Sequence, residues 1–117
     1  MRVVIAWWNL DQSEQTITSL RTFLRDEAVD HFSHQPGLRL KVWISDSAAN
    51  RWGAVFLWES AQAAAAPLPA RAAALIGYPP THRHVFDVEA TAEGAYDIAQ
   101  LTRLGLAFTS PQEQGTR

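Results

Sequence analysis

His82 and His84 are two apart in a predicted strand, and alternate residues of a strand share a face. Either imidazole is a general base near neutral pH. Together they offer two corners of a metal site, but Asp87 has the opposite parity and supplies no third ligand, so no metal is expected. His31 and His34, three apart on a predicted helix, form a weaker pair. Asn9 closes the first apolar run, where an amide can hydrogen-bond a phenol, an enolate or bound oxygen; asparagine also favours turns for its own backbone reasons. Five tryptophans are many for 117 residues. A flat indole wall suits an aromatic ligand, and its N–H can fix orientation. Trp43 is the best placed, because its strand face also carries polar groups. Tyr78, in the loop Gly77-Tyr78-Pro79-Pro80, can swing a phenol toward a developing oxyanion.

The elements that must position these residues follow from pattern. Arg2–Trp8 is β-branched and aromatic and predicts a strand. Asp11 and Glu14 have capping-box spacing, and Ile17, Leu20, Leu24 and Ala28 recur at three and four, predicting a helix that ends near His34 before Pro36-Gly37. Leu38–Ser45 alternates, with Leu38, Leu40, Val42 and Ile44 on one face and Arg39, Lys41, Trp43 and Ser45 on the other. A polar turn leads to a strand over Arg51–Trp58, so the two form a hairpin. Ser60 caps a second helix that Pro67 and Pro69 break, with a further piece over Ala70–Ile76. His82–Val88 is the last strand, and Ala92–Leu104 is read as a terminal helix. The domain is expected over residues 1–104, with 105–117 as a flexible tail.

The order βαββαβ is the split βαβ, ferredoxin-like signature of an α+β fold, with the first and third strands central in an antiparallel sheet and the second at an edge. Trp7 and Trp8 are adjacent and so face opposite sides, and Phe56 and Trp58 oppose Val55 and Leu57. Two helices cover only one face. The other is expected to close against an identical copy, as a homodimer.

Composition narrows the function. With no cysteine, thiolate catalysis, disulfides and cysteine metal sites are excluded. A net charge of −2 gives no electrostatic case for nucleic acid or an anionic membrane. No run approaches the ~20 apolar residues of a membrane helix. The apolar N-terminal run is too short for a signal peptide, and a cytoplasmic location is expected. No phosphate-binding loop or nucleophile elbow is present, so no nucleotide, flavin or nicotinamide cofactor is expected.

The runs Pro36-Gly37-Leu38-Arg39-Leu40-Lys41-Val42-Trp43, Gly53-Ala54-Val55-Phe56-Leu57 and Val85-Phe86-Asp87-Val88 resemble, in content and spacing, the YdhR-type monooxygenase family over most of residues 2–90. The resemblance implies a dimeric α/β barrel with a pocket in each subunit between sheet and helices. In the wider superfamily, heme-degrading members pair a strand-end asparagine with a third-strand tryptophan and a second-helix histidine. Asn9 and Trp58 match the first two places, but no histidine occurs between Glu59 and Thr81, so heme degradation is not expected. The alanine run broken by Pro67 and Pro69 departs from the family's continuous charged helix, which leaves substrate identity open. The expectation is a cofactor-independent monooxygenase of a hydrophobic, aromatic or polyketide-like molecule, with His82 or His84 as base and Asn9, Trp43, Trp58 and Tyr78 around the substrate. A non-oxidative cyclase or isomerase and a non-catalytic ligand-binding dimer are the alternatives.

Overall fold

The computed structural model describes residues 1–66, 70–95 and 103–109. Strands β1 (Arg2–Asn9), β2 (Leu38–Asp46), β3 (Arg51–Trp58) and β4 (His82–Asp87) form one antiparallel sheet in the order β2-β3-β1-β4. The chain thus has the ferredoxin-like α+β arrangement, with the two most apolar strands in the middle. Gly53 lies opposite Trp7 across β1 and β3. A Cβ there would stand 2.3 Å from the Ala6 carbonyl oxygen and 2.6 Å from Trp7 Cβ, so glycine lets these strands approach.

One sheet face carries helices α1 (Ile17–Phe23), α2 (Val29–Ser33), α3 (Ala61–Ala65) and α4 (Arg71–Ile76). The first helix begins later than the Asp11/Glu14 spacing suggests. The Asp11 N–H instead donates to Asn9 Oδ1 (2.9 Å), and Asn50 Nδ2 donates to Asp11 Oδ1 (2.9 Å), so that carboxylate pins the strand end to the hairpin turn. Thr16 is the cap, in a reciprocal pair with Ser19: the Ser19 N–H donates to Thr16 Oγ1 (3.0 Å) and the Thr16 N–H to Ser19 Oγ (2.9 Å).

Between α1 and α2 the chain makes a π-helical turn, Leu24–Ala28. The stripe Leu20, Leu24, Ala28 and Phe32 repeats every four residues, and an α-helix of 3.6 residues per turn drifts away from such a stripe. The wider π turn absorbs the drift. Leu20, Leu24 and Ala28 stay buried and Phe32 still reaches the sheet. The second helix is in two pieces, as the prolines require. Ser60 caps the first, accepting from the Ala63 N–H at 3.0 Å. Pro67 and Pro69 themselves lie outside the described residues.

The core joins Leu10, Leu20, Leu24, Trp52 and Ile76. Ala107, in a 3-10 turn over Leu106–Phe108, is buried against it, and its carbonyl accepts from Arg25 Nη1 at 2.7 Å. This turn falls within the segment that the sequence reading gives to a tail. The predicted helix over 92–104 lies largely outside the described residues; residues 92–95 and 103–104 are not helical.

Candidate functional site

Parity and pairing sort the sheet into two chemically different faces. Val4, Ala6 and Trp8 of β1, Trp52, Ala54, Phe56 and Trp58 of β3, and Lys41 and Trp43 of β2 turn toward the helices, and all of them line a cavity of about 460 Å³ there. Its roof comes from Phe23, Ala28 and Phe32 on one side and from Ala64 and Ala70–Ala73 on the other. The alanines are small, which leaves the space open above the rings. Trp58 is 1% exposed and stacks on Phe56 with centroids 5.8 Å apart. Phe32 meets Trp43 and Phe56 edge-on at 5.8 and 6.2 Å. No hydrogen-bond acceptor engages the indole N–H of Trp43, Trp52 or Trp58 among the described residues, and no buried polar side-chain atom is left unsatisfied. These donors therefore keep some solvent access, on residues that line the cavity.

Within this aromatic wall stands the chain's only lysine. Lys41 Nζ lies 3.3 Å from the Phe32 ring centroid, 4.3 Å from Phe56 and 4.4 Å from Trp43. No carboxylate pairs with it among the described residues. Loss of water lowers its pKa from 10.5 to about 7. The three ring faces act in the opposite sense, since their quadrupoles attract the cation. The amine is thus poised to gain or lose a proton near neutral pH.

A second, more open cavity of about 670 Å³ lies along β2, under the turn at 103–108. Lys41, Phe32, Trp43 and Trp52 border both spaces. Lys41 therefore stands at their junction.

The predicted site residues divide between the faces. Trp43 and Trp58 line the inner cavity. Asn9 and Tyr78 meet at the end of β1, but through one another. The Tyr78 hydroxyl donates to the Asn9 carbonyl, Asn9 Oδ1 accepts from the Asp11 N–H, and Trp8 Nε1 donates to the Tyr78 carbonyl at 2.8 Å. Neither residue borders either cavity. His82 and His84, expected to bring a base to the pocket, sit on the opposite face of the sheet. His82 stacks on Trp7 at 4.8 Å, and His84 lies 5.6 Å from Trp7 and 6.4 Å from Phe86. Pairing puts them there: Trp7 is opposite His82 and Ile5 opposite His84, and both β1 residues alternate with the core-facing Ala6. Asp87 forms an ion pair with Arg2 at 2.9 Å. The sequence reading missed Lys41 as a site residue, counting it only as an edge-strand charge. The available signal was its place between Arg39 and Trp43 on the mixed face of β2, directly across from Phe56.

No family model matches this chain, and no curated protein matches it. Among solved structures, a mutant of SnoaB, a cofactor-independent oxygenase from Streptomyces nogalater, is similar. The TM-score is 0.53 at 14% sequence identity, and the match covers 77% of this chain and 94% of that one. The likeness establishes the fold they share, the small α+β architecture with a four-stranded antiparallel sheet.

Proposed function

We propose that the protein is a cofactor-independent monooxygenase of a hydrophobic aromatic molecule, working as a homodimer, in which Lys41 is the base. The observation that carries this reading is a lone amine, with a pKa near 7, in an aromatic cavity large enough for a small polycyclic ligand. A phenol or enol entering the cavity gives its proton to Lys41 Nζ. The ammonium formed is held by the Phe32, Phe56 and Trp43 ring faces, and the paired enolate is held beside it. The electron-rich carbanion form of the enolate then reduces oxygen directly. One oxygen atom enters the substrate, converting a ring CH₂ to C=O, and the other leaves as water, so no external reductant is needed. The indole N–H groups are donors for the developing oxyanion.

The fold shared with a cofactor-independent oxygenase supports this reading, as does the resemblance of the β2, β3 and β4 segments to the YdhR-type family. The dimer is the natural closure for the open face, where Val42 is 45%, Ile44 41% and Phe86 52% exposed. In this arrangement His82 and His84 belong to the dimer face and the chemistry belongs to the helix-covered face.

The test is intrinsic tryptophan fluorescence against a panel of polycyclic phenols and quinols, with oxygen uptake followed in parallel. Saturable quenching with oxygen consumption is the expected result. Quenching with product formation but no oxygen uptake would replace the oxygenase by a cyclase or isomerase of the same fold. Quenching without any turnover would leave a ligand-binding dimer.

A further inference from the structure

The outer cavity has a charge asymmetry that an apolar substrate does not call for. Among the described residues, its border carries the cations Arg21, Arg39, Lys41 and Arg103 and no carboxylate. Arg103 is paired with Asp30, outside that border. Arg39 forms no ion pair or hydrogen bond among the described residues. It also sits where the β2–β3 register shifts, between Leu38 and Leu40. A bulge of this kind breaks the alternation that would fix a side chain to one sheet face, and such irregularities re-aim residues at sheet edges. At this bulge Arg39 borders the outer cavity, on the strand that also carries Lys41 and Trp43 of the junction.

We infer that the ligand is an aromatic acid: its ring system enters the inner cavity beside Lys41, and an anionic group, a carboxylate, remains in the outer cavity against Arg39. This rests on the reading of the inner cavity as a ligand site. A planar guanidinium with no partner among the described residues matches a carboxylate with two parallel hydrogen bonds. The inner lining is mainly rings, alanines and other apolar groups; its basic residues are Lys41, His31, Arg83 and Arg71, the last paired with Glu27 at 2.8 Å. With the acid held at Arg39, the rings enter first, which sets the direction of entry.

Isothermal titration calorimetry with 2-naphthoate and its neutral counterpart 2-naphthamide tests this, on the wild-type chain and on Arg39→Gln. Arg39 is exposed, so its replacement leaves the core intact. The expected result is that naphthoate binds about fivefold tighter than the amide, and that Arg39→Gln removes this preference while leaving the amide unchanged. Equal affinity of acid and amide for the wild type overturns the inference and leaves the ligand cavity standing. A preference that survives in Arg39→Gln also overturns it, because the anion is then held elsewhere. Failure of both compounds to bind overturns the cavity reading itself.

Discussion

The two faces of this sheet use aromatic residues in opposite ways. On the helix-covered face, Phe32, Trp43 and Phe56 surround a charged group that no carboxylate neutralises among the described residues, and unpartnered indole donors border an empty volume. On the other face, Trp7, His82, His84 and Phe86 stack in a continuous row that borders neither of the two cavities. The first arrangement sets an amine without a carboxylate partner among the described residues beside a cavity. The second presents a row of stacked rings with Phe86 52% exposed. Ring content alone does not distinguish a pocket from an interface; what distinguishes them is whether the rings enclose an unpaired charge.

Substitutions on either face should separate these roles. Removing Trp58, which is both core and cavity floor, is expected to have the largest effect. Trp58→Ala should cost about 3–5 kcal/mol in urea unfolding. Lys41→Met should come next: turnover falls by at least ~100-fold while affinity for a neutral aromatic ligand changes little. The same variant carries a pH signature. The unfolded lysine titrates near 10.5 and the folded one at about 7, so over that interval the unfolded chain binds the extra proton and wild-type stability rises with pH. Lys41→Met should therefore exceed the wild type in stability most below pH 7, and the gap should narrow toward pH 10. The activity of the wild type should rise with pH through about 7.

On the open face, Val42→Asp combined with Ile44→Asp should raise the dimer dissociation constant by ~10-fold or more in analytical ultracentrifugation, since each would bury a carboxylate in an apolar contact. Far-UV circular dichroism should be unchanged, because neither side chain is in the core. The smallest effect expected is that of Tyr78→Phe. It removes the hydroxyl bond to the Asn9 carbonyl and should cost about 1 kcal/mol in unfolding, with ligand affinity intact.

The element order and the strand order of the sheet were legible because they rest on local signals: alternation in Leu38–Ser45, the Pro36-Gly37 stop and a two-sided apolar pattern in the first and third strands. The helix start was misplaced because Asp11 has two partners of equal chemical fitness. The chain uses it for Asn50, thirty-nine residues away, which no local pattern reveals. The π turn was readable in principle, as three successive four-residue steps in the apolar stripe. Trp43 was singled out by the polar groups on its strand face and Trp58 by a resemblance; both line the inner cavity, while the histidine pair lies on the opposite sheet face. In a sheet apolar on both sides, parity says which residues share a face and not which face the helices cover. Lys41 was hidden because its chemistry comes from three rings on three elements, Phe32 of α2, Trp43 of β2 and Phe56 of β3, and spacing along one strand carries no trace of that.

The central claim is that the reactive base lies under the helices and not on the histidine row. The direct measurement is oxygen uptake with a polycyclic phenol that quenches the wild-type tryptophans, comparing Lys41→Met with the double variant His82→Ala, His84→Ala. The account predicts that uptake is lost in Lys41→Met and kept, per folded dimer, in the histidine variant. Uptake that persists without Lys41 and disappears without the histidines would contradict it.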